Sequence, residues 1–99
     1  MKTKRIFKYS CPVPLVATFP VTMVRGAEVL CVQVQNGGPQ LWAVIEDAEH
    51  QDEERVFVLR ATGQSFDGSE GRYIGTFQLD GGLFVGHLFE RSPLITAVA

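Results

Sequence analysis

Few side chains in this 99-residue chain are of types that carry out chemistry, and their spacing suits binding better than catalysis. There are two histidines, His50 and His87, and two cysteines, Cys11 and Cys31. Two cysteines are too few for a disulfide scaffold or a four-ligand zinc site. His50 falls in the run Glu46-Asp47-Ala48-Glu49-His50-Gln51-Asp52-Glu53-Glu54, in which six of nine residues are acidic. That run lacks the Asp/Asn spacing and turn glycine of a calcium loop, so it reads as a solvated connection. His87 has no carboxylate fixed near it by local spacing. No P-loop, His-Glu-x-x-His, Gly-x-Ser-x-Gly or dinucleotide fingerprint is present. Gly68-Ser69-Glu70-Gly71 is a turn without the strand-to-helix setting of a nucleophile elbow, and Cys31 reads as a small core residue. The expectation is a protein without catalytic residues, metal ligands or cofactor.

Binding is better served. Arg72, Thr76, Gln78 and His87 share one face of a strand pair in the sequence register, and Trp42 joins them if two hairpins are neighbours in one sheet. Arginine offers a fork for phosphate or carboxylate, and aromatic rings offer a stacking surface. Such a set could hold a nucleotide-like small molecule or anchor a protein.

The elements that must position these residues are strands. Residues 5–9, 15–22, 28–35, 40–45, 55–61, 72–80 and 83–91 alternate with period two and are separated by turn signals, and no helical period exceeds two turns. Asn36-Gly37 predicts a tight hairpin, because both residues accept positive φ. Gly81-Gly82 predicts a second, with Asp80 opposite Leu83. Pro12, Pro14 and Pro20 interrupt the early strands. The fold expected is all-β: a small antiparallel sandwich or partly closed barrel of six to seven strands built from hairpins. It forms one domain, residues 1–91, with an apolar tail, 92–99.

The registers place Tyr73, Gly75, Phe77, Leu79, Phe84, Gly86, Leu88 and Glu90 on a core face, with Phe77 over Gly86. They place Leu30, Val32, Val34, Leu41, Ala43 and Ile45 on another. The reverse faces then carry Val29, Trp42, Val44, Val56, Val58, Ile74, Val85 and Phe89. Left exposed, these exceed the roughly few hundred Å² of apolar patch that a monomer tolerates. Either the N-terminal strands cover them or a second subunit does, so a homo-oligomer is expected.

Charge and length narrow the classes further. The net charge of −2 combines a basic arm, Lys2, Lys4, Arg5 and Lys8, with a body of formal charge −6, five basic against eleven acidic residues from Tyr9 onward. An acidic body disfavours nucleic-acid binding. Lysines on such an arm suit a solvated edge strand. No apolar run is long enough to span a membrane, and no apolar segment of signal-peptide type follows the basic arm.

Several stretches together resemble a family of small uncharacterised proteins encoded by bacteriophages and prophages. They are residues 2–9 (KTKRIFKY), residues 26–37 with Val32-Gln33-Val34-Gln35-Asn36-Gly37, Leu41-Trp42-Ala43, and the block Arg72-Tyr73-Ile74-Gly75-Thr76-Phe77-Gln78 with Phe84-Val85 and His87-Leu88-Phe89-Glu90. Members of that family commonly have Trp where this chain has Gly86, so any role of that Trp does not carry over. The resemblance implies a viral accessory protein in the cytoplasm of a bacterial host. The expected function is inhibition of a host defence system by binding a host defence protein. The alternatives are an oligomeric sponge for a nucleotide-derived immune signal and a small virion or assembly component.

Overall fold

The computed structural model describes residues 3–91, so the tail 92–99 lies outside the described residues. Seven strands follow in chain order: β1 Lys4–Ser10, β2 Thr18–Val24, β3 Glu28–Gln35, β4 Gly38–Glu46, β5 Asp52–Ala61, β6 Arg72–Leu79 and β7 Phe84–Glu90. They form two antiparallel sheets, one of order β1-β4-β3 and one of order β2-β5-β7-β6. The all-β expectation holds, as an open two-layer sandwich. Among the described residues no helix is long and apolar enough to cross a membrane.

The turn chemistry explains the hairpins. Asn36 and Gly37 take φ of 55° and 80°, and Gln35 pairs with Gly38, so the tight turn forms as the residues require. In the second hairpin Asp80–Gly82 makes a short 3₁₀ turn closed by Leu83 N–H on the Asp80 carbonyl at 3.2 Å. Leu79 then pairs with Phe84, which preserves the expected register up to Gly75. The break at Cys11-Pro12-Val13-Pro14 carries the chain from β1 in one sheet to β2 in the other.

The core is the space between the inner faces. Val29, Val32, Leu41, Ala43 and Ile45 meet Phe19, Val21, Met23, Phe57, Leu59, Ile74, Phe77 and Leu88 there. Phe19 stacks on Phe57 with ring centroids 6.0 Å apart. Gly86 is closely packed. A Cβ there would lie 2.8 Å from the Phe77 ring and 2.9 Å from Leu59 and Phe84 carbons, so those side chains fill the space a larger residue would need.

Two expectations about faces are corrected by β-bulges. The pairing of β3 with β4 shifts between Val29 and Cys31, which turns Val29 into the core and leaves Leu30 exposed. The pairing of β6 with β7 shifts between Tyr73 and Gly75. Ile74 is thereby buried, and Tyr73 moves from the expected core face to the outer face opposite Phe89. One extra residue in a strand reverses every side chain beyond it, and nothing in an alternating pattern marks where it is inserted. The acidic run is also more ordered than a solvated connection. Glu46 closes β4, and Asp52, Glu53 and Glu54 open β5.

Candidate functional site

The structure divides the five sequence-predicted residues among three places. Thr76, Gln78 and His87 stand together on the outer face of the four-stranded sheet, with Thr76 directly opposite His87 and Gln78 opposite Val85. Arg72 does not join them. The bulge at Ile74 sets it opposite Glu90, where its guanidinium donates to the Val29 carbonyl at 3.1 Å and lies 3.6 Å from the Glu90 carboxylate. Trp42 lies on the outer face of the other sheet, between Lys8 and Cys31. The two hairpins occupy different sheets, so the condition that would have brought Trp42 to His87 is not met.

What gathers around His87 instead is aromatic. Tyr73 packs edge-on against Phe89 at 5.7 Å, and Phe66 packs against Phe89 in a tilted arrangement, also at 5.7 Å. Phe66 arrives from the connection between β5 and β6, residues 62–71, which folds over this face. Phe66 and Tyr73 remain 55% and 54% exposed, while Val58, beside Phe89 in the register, is fully buried. An irregular connection thus covers part of this apolar reverse face.

A hydrogen-bonded row fixes the polar centre. The Tyr73 hydroxyl bonds the Thr76 hydroxyl, which lies 2.9 Å from His87 Nδ1. On the far side His87 Nε2 lies 2.7 Å from the Thr62 hydroxyl. A neutral imidazole donates from one nitrogen and accepts at the other, so the two threonines satisfy it in either tautomer. The ring is held in place, with its edges occupied.

The connection itself is anchored by charge. Glu70 is 4% exposed; its carboxylate accepts from Arg60 at 3.2 Å and from the Gly68 N–H at 3.0 Å. Asp67 accepts from the Ser69 hydroxyl at 2.6 Å and the Ser69 N–H at 2.9 Å, and these bonds hold its carboxyl below the usual range. Arg60, Thr62, Gly63, Gln64, Phe66, Tyr73, His87 and Phe89 enclose a pocket of about 250 Å³. Phe66 and Tyr73 escaped the sequence reading, the first because a loop has no period and the second because of the bulge.

Arg72 belongs to a separate polar groove of about 520 Å³, lined also by Arg55, Glu53, Glu28 and Glu90. Glu90 is buried and bonds Arg55 at 2.6 Å. The carboxylates outnumber the guanidinium groups there, so this groove has no excess of positive charge for an anion. Among the described residues no cluster of three or more His, Cys, Asp or Glu is placed to hold a metal ion.

Comparison with known families adds one finding. A domain of unknown function, DUF7352, matches residues 2–96. The chain belongs to this family. No curated protein and no solved structure matches it. Membership in DUF7352 accords with the uncharacterised family seen in the sequence, and its description names no activity.

Proposed function

We propose that this DUF7352 protein is a non-catalytic binding protein. In this reading it is a phage-encoded accessory protein in the bacterial cytoplasm that inhibits a defence system by binding a host protein. The observation that supports a binding role is the exposed aromatic pair Phe66 and Tyr73, packed on Phe89 around a tethered His87. Rings fixed by their neighbours, half-open to solvent and bordered by polar groups, are what the energetic centre of a protein interface consists of.

Size favours a protein partner over a sequestered signal molecule. A pocket of about 250 Å³ is smaller than the ~300–1,000 Å³ of small-molecule sites. It fits one inserted side chain. The sponge reading keeps support from the same rings and from Arg60, which together could stack and pair a single planar base. A homo-oligomer stays part of the proposal, carried by exposed Leu30 on the three-stranded sheet.

The test is affinity capture of the tagged protein from its natural host, followed by mass spectrometry, with Phe66→Ala and Tyr73→Ala run alongside. One host complex retained by the native chain and lost by both variants is the expected result. Equal retention by the variants would overturn the role given to this face. A rise in melting temperature with cyclic nucleotides or ADP-ribose derivatives would favour the sponge. Recovery only within purified particles would favour a virion component.

A further inference from the structure

Among the described residues the sandwich has four edge strands, and three carry features that hinder further pairing. In β2 the bonds from Leu59 N–H to the Ala17 carbonyl and from Arg25 N–H to the Gln51 carbonyl show that odd-numbered residues pair with β5. The even-numbered ones face outward. Pro20 is among them and offers no donor there, and the outward N–H of Val24 is taken by the Tyr9 hydroxyl at 3.2 Å. Edges β3 and β6 each carry a bulge and lie against one another, with Gly75 so near Val32 that a Cβ would come within 2.9 Å of its side chain.

Edge β1 has none of these devices. Its pairing with β4 runs from Lys4 to Ser10 without a shift. The bonds from Asp47 N–H to the Thr3 carbonyl and from Cys11 N–H to the Pro39 carbonyl fix the parity: odd-numbered residues bond β4. Lys4, Ile6, Lys8 and Ser10 therefore point their N–H and C=O groups away from the sheet. Both faces of the strand are open as well. Ile6 is 62% exposed on the outer face, and Phe7 is 41% exposed on the inner one. An added strand would pair the outward backbone groups and cover both side chains.

We propose that β1 accepts an extended acidic segment of a partner protein as an additional strand. Charge decides the occupant. Lys4 and Lys8 flank Ile6 on the outer face, beside Val44 and Trp42 of β4. The Lys8 ammonium donates to the neutral Gln35 amide at 2.6 Å, a bond that leaves its charge uncompensated. Lys4 faces Glu46, so Lys8 carries more of the selection. Arg5, by contrast, is neutralised by Asp47 at 2.7 Å. Two copies joined through β1 would bring both lysines of each chain onto one outer face, and like charges across a strand pair repel. An incoming strand with acidic side chains around an apolar one complements the Lys-Ile-Lys row, its backbone supplying affinity and its charges specificity. Trp42, isolated from His87, takes its place in this surface. The proposal adds a second locus and a partner chemistry to the protein-binding reading, and it is tested without the host partner.

The probe is a short fluorescent peptide of alternating valine and glutamate, compared with the same peptide carrying lysine for glutamate. The acidic peptide is expected to bind at least about tenfold more tightly. Hydrogen exchange supplies the decisive pattern: amides of Ile6 and Lys8 gain protection on binding, while those of Arg5 and Phe7, already bonded to β4, do not change. Ile6→Pro removes an outward donor without breaking the β1–β4 ladder and should abolish binding. Should that variant fail to fold, Lys4→Glu with Lys8→Glu should reverse the peptide preference. No binding, equal affinity for both peptides, or binding that leaves Ile6 and Lys8 unprotected overturns the proposal. So does concentration-dependent protection of those amides without peptide, which would make the occupant a second copy.

Discussion

Replacing Arg60 with alanine should release the 62–71 connection from the outer face. The native contact joins the Arg60 guanidinium to a Glu70 carboxylate that is 4% exposed. Without Arg60 the carboxylate keeps the Gly68 N–H and no cation at hydrogen-bond distance. Staying buried in that state costs about 3–5 kcal/mol. The chain has a cheaper escape: the connection can open and return Glu70 to water. Opening forfeits the buried part of Phe66, a little under half of the ~200 Å² of a phenylalanine, or about 2 kcal/mol. The contact between the Phe66 and Phe89 rings adds about 1 kcal/mol. The expected loss is thus about 2–4 kcal/mol, a fall in Tm of roughly 10–25 °C for a domain of this size. Urea denaturation should show a lower midpoint, and hydrogen exchange should speed up across residues 62–71 while β4 is unaffected. Adding Glu70→Gln should recover part of the loss, because a neutral amide tolerates the site without a cation. An Arg60→Ala protein within about 0.5 kcal/mol of the native one, the level of an ordinary surface change, would refute the anchoring of this connection by charge.

Four further outcomes follow from close contacts and burial. Gly71→Ala should prevent folding or cost more than about 3 kcal/mol, because the new Cβ would sit 2.1 Å from the Glu90 carbonyl at a φ of +113°; Gly63→Ala, with open space at φ +90°, should cost about 1–2 kcal/mol, and equal melting curves would contradict this. Gly75→Ala should cost about 1–3 kcal/mol by pressing on Val32, with Val32→Ala relieving part of it in a thermal melt of the double variant. Burial pushes the Cys11 thiol up to about 11, so iodoacetamide at pH 8 should label half-buried Cys31 well before Cys11. The native thiol holds its proton more tightly than the unfolded one, at about 9; the stability it contributes is full below pH 9 and falls between pH 9 and 11, and Cys11→Ala should flatten that decline in a pH series of denaturation curves.

The elements were legible because each rests on a local signal. Asn36-Gly37 fixed one hairpin, and two-residue alternation fixed the seven strands and most of the core, including Phe77 over Gly86. The division into two sheets was not legible. Which hairpin pairs with which strand depends on long-range packing that no turn residue encodes, and on that division hung the distance between Trp42 and His87. The bulges were illegible for a different reason. Leu30 and Ile74 are apolar residues in apolar strands, so an inserted position leaves the composition unchanged while it reverses the faces of Val29 and Tyr73. His87, Thr76 and Gln78 came out on one face because they lie on the turn side of the Ile74 bulge, where the register is undisturbed.

Core and candidate site are therefore set by the same irregularity. Without the bulge, Tyr73 would oppose Glu90 on the inner face, and Arg72 would stand on the outer face beyond His87. With it, Ile74 fills the core, the Tyr73 ring is delivered to Phe89 and Phe66, and Arg72 is drawn to Glu90 and the Val29 carbonyl. The bulge also keeps edge β6 from extending, as the one at Leu30 does for β3. A strand edge can be closed by such a distortion only at a cost in side-chain register, and this chain incurs it where the two sheets meet. Edge β1, at the opposite side of its sheet from that seam, keeps its regular register and its outward backbone groups. That regularity, set against the bulges of β3 and β6 and the outward Pro20 of β2, is what supports the proposal that β1 is the strand left open for a partner.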